Sequence, residues 1–573
     1  MKELILHVDH IKYESKSKTK LAEEGRKLHE TDQMENALFV AIAVEKEDEN
    51  NLKQIVGKAV DDLVKVSEEV KTKSIMLYPY VHLLFGSKPA SPHFAVSLLK
   101  EMETELKHKK FTVKRAPFGF YKGFDLKVKG HPLSELSREF SVEGGKTAEK
   151  ELDDEEIKSL LKQISRSRLD TSKLKDNDHR IIGQKLDLWS FNEVAPGMVF
   201  WHNKGLLLKN LLIDYWREVH RREGYEEIST PQIMDKKLWL LSGHWAKFKE
   251  NLFVTGYEKR DFVVKPMNCP GGMLVYKTSS KSYKDLPLRV GELGVVHRQE
   301  LSGVLAGLFR VIQFTQDDAH IFCTEEQMED EISRIIDIIK EMFATFDLDF
   351  AHIELSTRPE KRIGSDQIWD LAEKSLEDVL KKKKMKYKVN EGDGAFYGPK
   401  IDFHLKDSLG RTWQCSTIQL DMAMPERFDL EYIDNKGEAK RPIMLHRVVY
   451  GAIERFIGIM TEHLNGKFPL WLNPVQVKVL TISDDHIPFA SKVVEQLKTA
   501  GLRVELDDRT ETMGKKIREA QISKINYMIT IGDKEVEKQK LAVRSRDGEV
   551  KFGVAVDKFI EELLKEVKER KLK

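Results

Sequence analysis

The sequence predicts an α/β protein of several domains, and three observations lead there. Its 573 residues, at ~150 residues per domain, suggest about four domains. Strand-like and helix-like hydrophobic patterns alternate near both ends of the chain. Between them, a polar, charged stretch precedes a dense, aromatic-rich centre. The predicted division is 1–142, 143–185, 186–470 and 471–573.

The elements follow in order. Residues 3–8 (ELILHV) and 38–44 (LFVAIAV) read as short buried strands. Residues 51–70 carry helical periodicity, and 75–79 (IMLYP) is again a strand. SPHFAVSLLKEMETEL reads as a capped helix, because Ser precedes Pro at its start. The run 143–185 is rich in Lys, Glu and Asp with almost no core, so it reads as a linker with one or two exposed helices. Near Pro474 a strand opens, VQVKVLTI (475–482), and helices and strands alternate to about residue 567. There is no internal repeat, and the Lys run at 381–384 reads as a solvated helix end.

Composition narrows the class. The 95 basic residues nearly balance 94 acidic ones, which leaves an RNA partner open because patches matter more than totals. Three cysteines make no disulfide framework and point to a reducing compartment. The N-terminus lacks a signal-peptide layout and no apolar run reaches ~18 residues. A soluble, cytoplasmic protein without membrane contact is expected.

The most informative stretch is 297–320, HRQELSGVLAGLFRVIQFTQDDAH. Arg298 and Arg310 flank a Gly-containing turn, and the strand-like RVIQF leads to Asp317, Asp318 and His320. Such a hairpin can set two guanidiniums over a polyphosphate and an acidic group beside a cationic substrate. Arginine suits the first task because its planar fork grips phosphate oxygens bidentately and stays charged. In GAIERFIGIMTEHL (451–464), Arg455 sits at a helix start, where backbone N–H groups also favour phosphate. In FYGPKIDFHLKDSLGRTWQCSTIQLD (396–421), two strands joined by a turn at Ser408–Gly410 offer inward polar residues for a substrate pocket. Cys269, His320 and His446 each adjoin one of these segments, and Cys/His/His is a plausible zinc set with one open position. By the residues alone, a buried cysteine and two hydrogen-bonded histidines explain the same set.

Together these segments resemble the motifs of class II aminoacyl-tRNA synthetases. Residues 297–320 match motif 2, 451–464 motif 3, and GYEEISTPQIMDKKLW (224–239) motif 1, which implies a homodimer. FTQDDAHIF and the Cys269/His320/His446 set resemble the threonyl family. RAPFGFYKGFDLKVKGHPLSELSR (115–138) resembles the editing domain of archaeal-type threonyl-tRNA synthetases, a relative of D-aminoacyl-tRNA deacylases. The C-terminal part resembles the class IIa anticodon-binding domain.

The resemblance implies three modules: an α/β editing domain at 1–142, a class II antiparallel-sheet catalytic core at 186–470, and an α/β anticodon-binding domain at 471–573. It implies ATP-dependent joining of L-threonine to tRNA(Thr), with hydrolysis of mischarged seryl-tRNA. Arg298, Glu300, Arg310, Phe314 and Arg455 would bind ATP, accompanied by Mg²⁺. One zinc per subunit would sit on Cys269, His320 and His446. Met267, Gln316, Asp318, Tyr397, Lys400, Gln414 and Gln419 would line the threonine pocket. His244, in SGHWAKF, would help deprotonate the accepting tRNA hydroxyl, although a His beside Trp reads as readily as structural. His82, Tyr121, Lys122 and Glu135 would form the editing pocket. Glu535 and Arg544 would read anticodon bases, and a basic helix at Lys515–Arg518 would follow the RNA backbone.

Three departures are visible. Gly272 stands where the family usually has His, Ala452 where it has Ser, and Thr510 where Asn is common. Two alternatives remain at this level: a synthetase-like RNA-binding or regulatory protein without ligase activity, and a synthetase for serine or proline. Those last enzymes lack the Cys/His/His set.

Overall fold

A computed structural model describes residues 1–84, 87–140, 154–164, 174–258, 260–407 and 410–572. Residues 1–155 and 156–573 form two compact units. Residues 143–153 and 165–173 of the stretch read as a linker, and Ser408 and Leu409 of the turn, lie outside the described residues.

The first unit is a six-stranded sheet with two helices. Its elements are β1 (Lys2–Lys18), β2 (Thr31–Ala43), α1 (Leu52–Glu69), β3 (Ser74–Pro79), α2 (Pro92–His108), β4 (Thr112–Arg115), β5 (Phe120–Val128) and β6 (Glu135–Glu139). The strand order is β4-β3-β2-β1-β5, with β6 also on β1. Strand β2 is buried on both faces, because alternate residues serve two cores. Leu38, Val40 and Ile42 pack with Ile55, Val60 and Leu98 of the helices. Phe39 and Ala41 join Tyr13 and Tyr78 on the opposite face. Strands β1 and β2 run well beyond the apolar cores from which they were predicted, since their outer ends pair through backbone groups while carrying polar side chains.

Helix α3 (Asp154–Ile164) starts at the boundary, and α4 (His179–Lys185) and α5 (Asn203–Arg222) follow in the second unit. Helix α4 corrects the exposed-linker reading at its C-terminal end. His179 is fully buried, its Nδ1 lies 2.8 Å from Glu462 Oε1, and its Nε2 accepts from the Leu308 N–H. Polar sequence here marks a satisfied buried network, which composition cannot separate from a solvated run.

An eight-stranded sheet follows. Its strands are β7 (Glu226–Glu227), β8 (Leu288–His297), β9 (Gln313–Cys323), β10 (Phe350–Ser356), β11 (Lys388–Asn390), β12 (Lys400–Lys406), β13 (Thr412–Asp421) and β14 (Ile443–Val448). The order is β11-β10-β12-β13-β14-β9-β8-β7, and the six central strands pair antiparallel. Helices α6 (Cys269–Tyr276), α7 (Met328–Ala344), α8 (Asp366–Lys382) and α9 (Ile453–His463) accompany it. Ile332, Ile335, Ile339 and Phe343 of α7 recur at helical spacing and join Ile418, Leu445 and Phe456 in one core. That core covers one sheet face and leaves the other to the site.

The last module has β15 (Val477–Thr481), α10 (Ile487–Thr499), β16 (Val504–Asp507), α11 (Met513–Ile522), β17 (Tyr527–Ile531), α12 (Asp533–Lys538), β18 (Leu541–Ser545), β19 (Val550–Val554) and α13 (Val556–Lys568). Its sheet order is β16-β15-β17-β18-β19. Among the described residues no helix is long and apolar enough to cross a membrane.

Candidate active site

Antiparallel register builds the site. Lys400 lies opposite Gln419, Gln419 opposite His446, and His446 opposite His320, a row across four strands. Strand alternation sets Gln316, Asp318 and His320 of β9 on this face. A cavity of about 270 Å³ above the row is lined by Met267, Cys269, Gln316, Asp318, His320, Tyr397, Lys400, Gln414, Gln419 and His446. All seven residues expected for the amino-acid pocket therefore meet in one place, beside the three expected metal ligands.

Donor atoms of Cys269, His320 and His446 all lie within 4.8 Å of one another. Cys269 opens α6 and is buried. His446 Nε2 is 2.8 Å from Asp421 Oδ2, and the other oxygen of that carboxylate accepts the Ala423 and Met424 N–H groups at 2.9 Å. An anchored carboxylate behind a histidine is the usual support of a metal-ligating imidazole. Burial pushes the Cys269 thiol well up and His320 well below the ordinary histidine value. Burial thus keeps His320 neutral with a lone pair available, and a cation would stabilise the thiolate that burial disfavours. The donor set fits zinc, with three protein ligands and room for a fourth. A Cβ on Gly272 would lie 3.4 Å from His320 Nδ1, so any side chain there would stand against this ligand.

The acidic pair divides between the two faces. Asp318 faces the pocket, accepts from Asn268 Nδ2 at 2.6 Å, and is pushed up to about 6 by burial. Asp317 points the other way. It accepts the N–H groups of Val449, Tyr450 and Gly451 at 3.0, 3.0 and 2.8 Å, and Trp216 Nε1 at 3.1 Å. It pins the turn that leads into α9.

An adjoining cavity of about 280 Å³ is lined by Arg298, Glu300, Arg310, Phe314, Gln316, Gln414 and Arg455. The Arg298 guanidinium lies 5.2 Å from the Phe314 ring centroid, and its Nε donates to the Pro266 carbonyl. Arg455 donates to the carbonyls of Phe309 and Gln414. Neither has an ion-pair partner among the described residues, and burial lowers the pKa of both. An anionic ligand would offset the charge of these two half-buried arginines, which have no ion-pair partner among the described residues. Arg310 instead pairs with Glu300 at 2.9 Å. Ala452, at the N-cap of α9, offers no side-chain acceptor to the helix start.

His244 is fully buried, with Nδ1 2.7 Å from Ser242 Oγ and Nε2 3.0 Å from Met267 Sδ. Burial lowers its pKa to about 3. Both nitrogens are engaged, so in this arrangement it positions Met267.

Sequence reasoning missed three supporting groups. Asn268 orients Asp318, and Asp421 orients His446. Asp402 lies 2.9 Å from Lys400 Nζ and accepts from Gln414 and Thr417 at 2.6 and 2.7 Å. The signal for Asp402 was available: it stands two residues after Lys400 on one strand.

In the first unit, His82, Tyr121 and Lys122 line a cavity of about 530 Å³ with Tyr78, Tyr80 and Phe120. Lys122 Nζ donates to the Pro117 and Phe120 carbonyls, and burial lowers its pKa to about 8. Glu135 is not brought there. It pairs opposite Leu6, whereas Lys122 pairs opposite Ser15. The nine residue steps along β1 between these partners amount to roughly 30 Å of strand. In the last module, Lys516 is buried and donates to the Thr481 and Asp507 carbonyls, so it is not free to follow RNA. Arg544 lies opposite Met528 near the start of β17, and Glu535 lies beyond its other end on α12.

Three family models match. Residues 1–140 match the Archaea-specific editing domain of threonyl-tRNA synthetase, 253–464 the class II tRNA synthetase core domain (G, H, P, S and T), and 476–566 an anticodon binding domain. Sheet and core match give residues 253–464 the class II tRNA synthetase core. A threonine–tRNA ligase of Desulfatibacillum aliphaticivorans is 54% identical over 418 residues, covering 73% of this chain and 64% of that protein. The chain thus spans less than two thirds of that curated relative. A solved threonyl-tRNA synthetase RNA-binding domain from Cryptosporidium parvum Iowa II is 40% identical, with TM-score 0.66, covering 68% of this chain and 98% of that one. A putative threonyl-tRNA synthetase of Aeropyrum pernix is 28% identical, with TM-score 0.60, covering 69% and 97%. The chain belongs to the threonyl-tRNA synthetase family.

Proposed function

We propose that the protein joins L-threonine to tRNA(Thr) through a threonyl-adenylate made from ATP, and hydrolyses mischarged seryl-tRNA(Thr). The observation that carries this reading is the convergence of Cys269, His320 and His446 beside two arginines without an ion-pair partner among the described residues. A zinc ion held by those three residues would have coordination room for the amino group and side-chain hydroxyl of threonine. Asp318 accepts from the bound amino acid, while Gln316, Tyr397, Lys400, Gln414 and Gln419 enclose it. Arg298 holds the α-phosphate, and Arg310 and Arg455 the distal phosphates. Phe314 stacks on the adenine and Glu300 contacts its amino group, for which Glu300 must share its carboxylate with Arg310. Mg²⁺ arriving with ATP would neutralise further phosphate charge.

A site that engages a hydroxyl rejects valine strongly, by ~10⁴-fold or more, whereas serine lacks only a methyl and is rejected by ~10–200-fold. Serine therefore needs a second sieve. We assign it to the pocket of His82, Tyr121 and Lys122, where a buried cation beside the ester carbonyl would polarise it without a covalent nucleophile. Glu535 and Arg544 are assigned to the anticodon. A cytoplasmic homodimer, paired through the 224–239 segment, completes the proposal.

Incubation with ATP, tRNA and each amino acid in turn tests this reading. Threonylated tRNA should accumulate and seryl-tRNA should not. Absence of any ligation would leave a synthetase-like RNA-binding protein.

A further inference from the structure

Strands β10 and β12 carry a second group of metal donors. Register sets His352 opposite His404 and Glu354 opposite Asp402. His352 and Glu354 are two residues apart on β10, so they share a sheet face. Donor atoms of His352, Glu354 and His404 all lie within 4.8 Å of one another. His352 Nε2 is 3.0 Å from Glu354 Oε1, and His404 Nε2 is 3.6 Å from Glu354 Oε2. The two imidazoles stack with centroids 4.3 Å apart and planes 13° apart. Two ring nitrogens therefore converge on one carboxylate.

An ordinary ion pair leaves part of this unexplained. His404 Nε2 is a buried atom with no hydrogen-bond partner among the described residues. A buried polar atom of that kind calls for a missing water or ion. The spacings favour an ion. Tetrahedral zinc with bonds of about 2.0–2.1 Å sets neighbouring donors about 3.3 Å apart; the separations here are 3.0 Å to one oxygen of Glu354 and 3.6 Å to the other. Glu354 Oε2 also accepts from Asn390 Nδ2 at 3.1 Å, which fixes the carboxylate as outer-shell groups do in metal sites. The three side chains retain 25, 22 and 17% exposure, so an ion can enter from solvent. Burial, with His352 alongside, holds His404 below the usual histidine pKa, which keeps its lone pair available at neutral pH.

We propose that His352, Glu354 and His404 form a second metal site, separate from the Cys269 row, which takes a divalent transition metal of the zinc class. Two imidazoles and one carboxylate suit zinc, cobalt or nickel; magnesium and calcium select oxygen donors. The fourth position is open to water or an external ligand. An ion here would clamp β10 to β12 behind Asp402, the group that holds Lys400 and Gln414.

Cobalt(II) added to chelator-stripped, full-length protein is the test, because its spectrum separates the two donor sets. The wild type should bind two equivalents, one with a thiolate-to-metal charge-transfer band and one with visible d–d absorption alone. His352→Gln combined with His404→Gln should bind one equivalent, with the thiolate band intact as a control for folding. Glu354→Gln alone should weaken the sulfur-free equivalent by at least tenfold. A wild type that binds no sulfur-free equivalent overturns the proposal. So does a double variant that keeps it, because the metal would then sit on other surface groups. Loss of the thiolate band alone would count against the Cys269 row and leave this site standing.

Discussion

Replacing Asp317 should damage the turn ahead of Arg455 in a graded way. Its two oxygens accept four buried donors: Val449, Tyr450 and Trp216 on Oδ2, and Gly451 on Oδ1. Asp317→Ala strands all four. At about 1 kcal/mol for each unmade buried hydrogen bond, the loss is at least ~4 kcal/mol. Asp317→Asn can keep its carbonyl on the Oδ2 side and turn its amide toward the Gly451 N–H, losing one bond for ~1–3 kcal/mol. Hydrogen exchange resolved to residues 449–451 is the assay. With ~1.4 kcal/mol per decade, the alanine variant should speed exchange at these amides by ~10³ where local opening governs it. The asparagine variant should speed Gly451 by about tenfold and leave Val449 nearly protected. Equal and small changes in both variants would refute the idea that this carboxylate organises the turn.

Other expectations follow from the same geometry. Arg298→Ala should reduce adenylate formation by ~10² or more, read by ATP–pyrophosphate exchange, because a charge-assisted contact to the reacting phosphate is lost. Cys269→Ala should remove the thiolate-bound metal, read by metal analysis, and threonine activation with it; a metal-free yet fully active protein would contradict the donor set. Lys122→Ala should let seryl-tRNA accumulate while threonine activation proceeds normally, since its pocket and the catalytic row lie in separate compact units. Because burial lowers Lys122 to about 8, deacylation by its cation should fall as pH rises through that value. Between about 8 and the ordinary lysine value the folded chain binds fewer protons than the unfolded one, so first-unit stability should rise with pH there.

Much of this site was legible in the sequence because strand alternation and motif spacing are local properties. The residues Gln316, Asp318 and His320 differ by two, and the pleat alone sets them on one face. The resemblance then carried Cys269 and His446 to the same point, and the start of α6 and the register of β14 against β9 delivered them. What sequence left hidden depends on partners distant along the chain. Asp317 looks like Asp318 until the N–H groups of 449–451 claim it. Lys516 sits in a basic run, yet two carbonyls hold it inside. Glu135 follows Lys122 by thirteen positions, and the intervening strand carries it away from the pocket. The His352/Glu354/His404 group has no short motif at all, since it exists only through the pairing of β10 with β12.

The central claim is that the row across β12, β13, β14 and β9 selects an amino acid by its hydroxyl. ATP–pyrophosphate exchange compared for threonine, serine and valine tests it most directly. The account expects threonine to lead, serine to follow within ~10–200-fold, and valine to trail by ~10⁴-fold or more. Valine activated as well as serine would contradict it, because shape alone would then be doing the selecting.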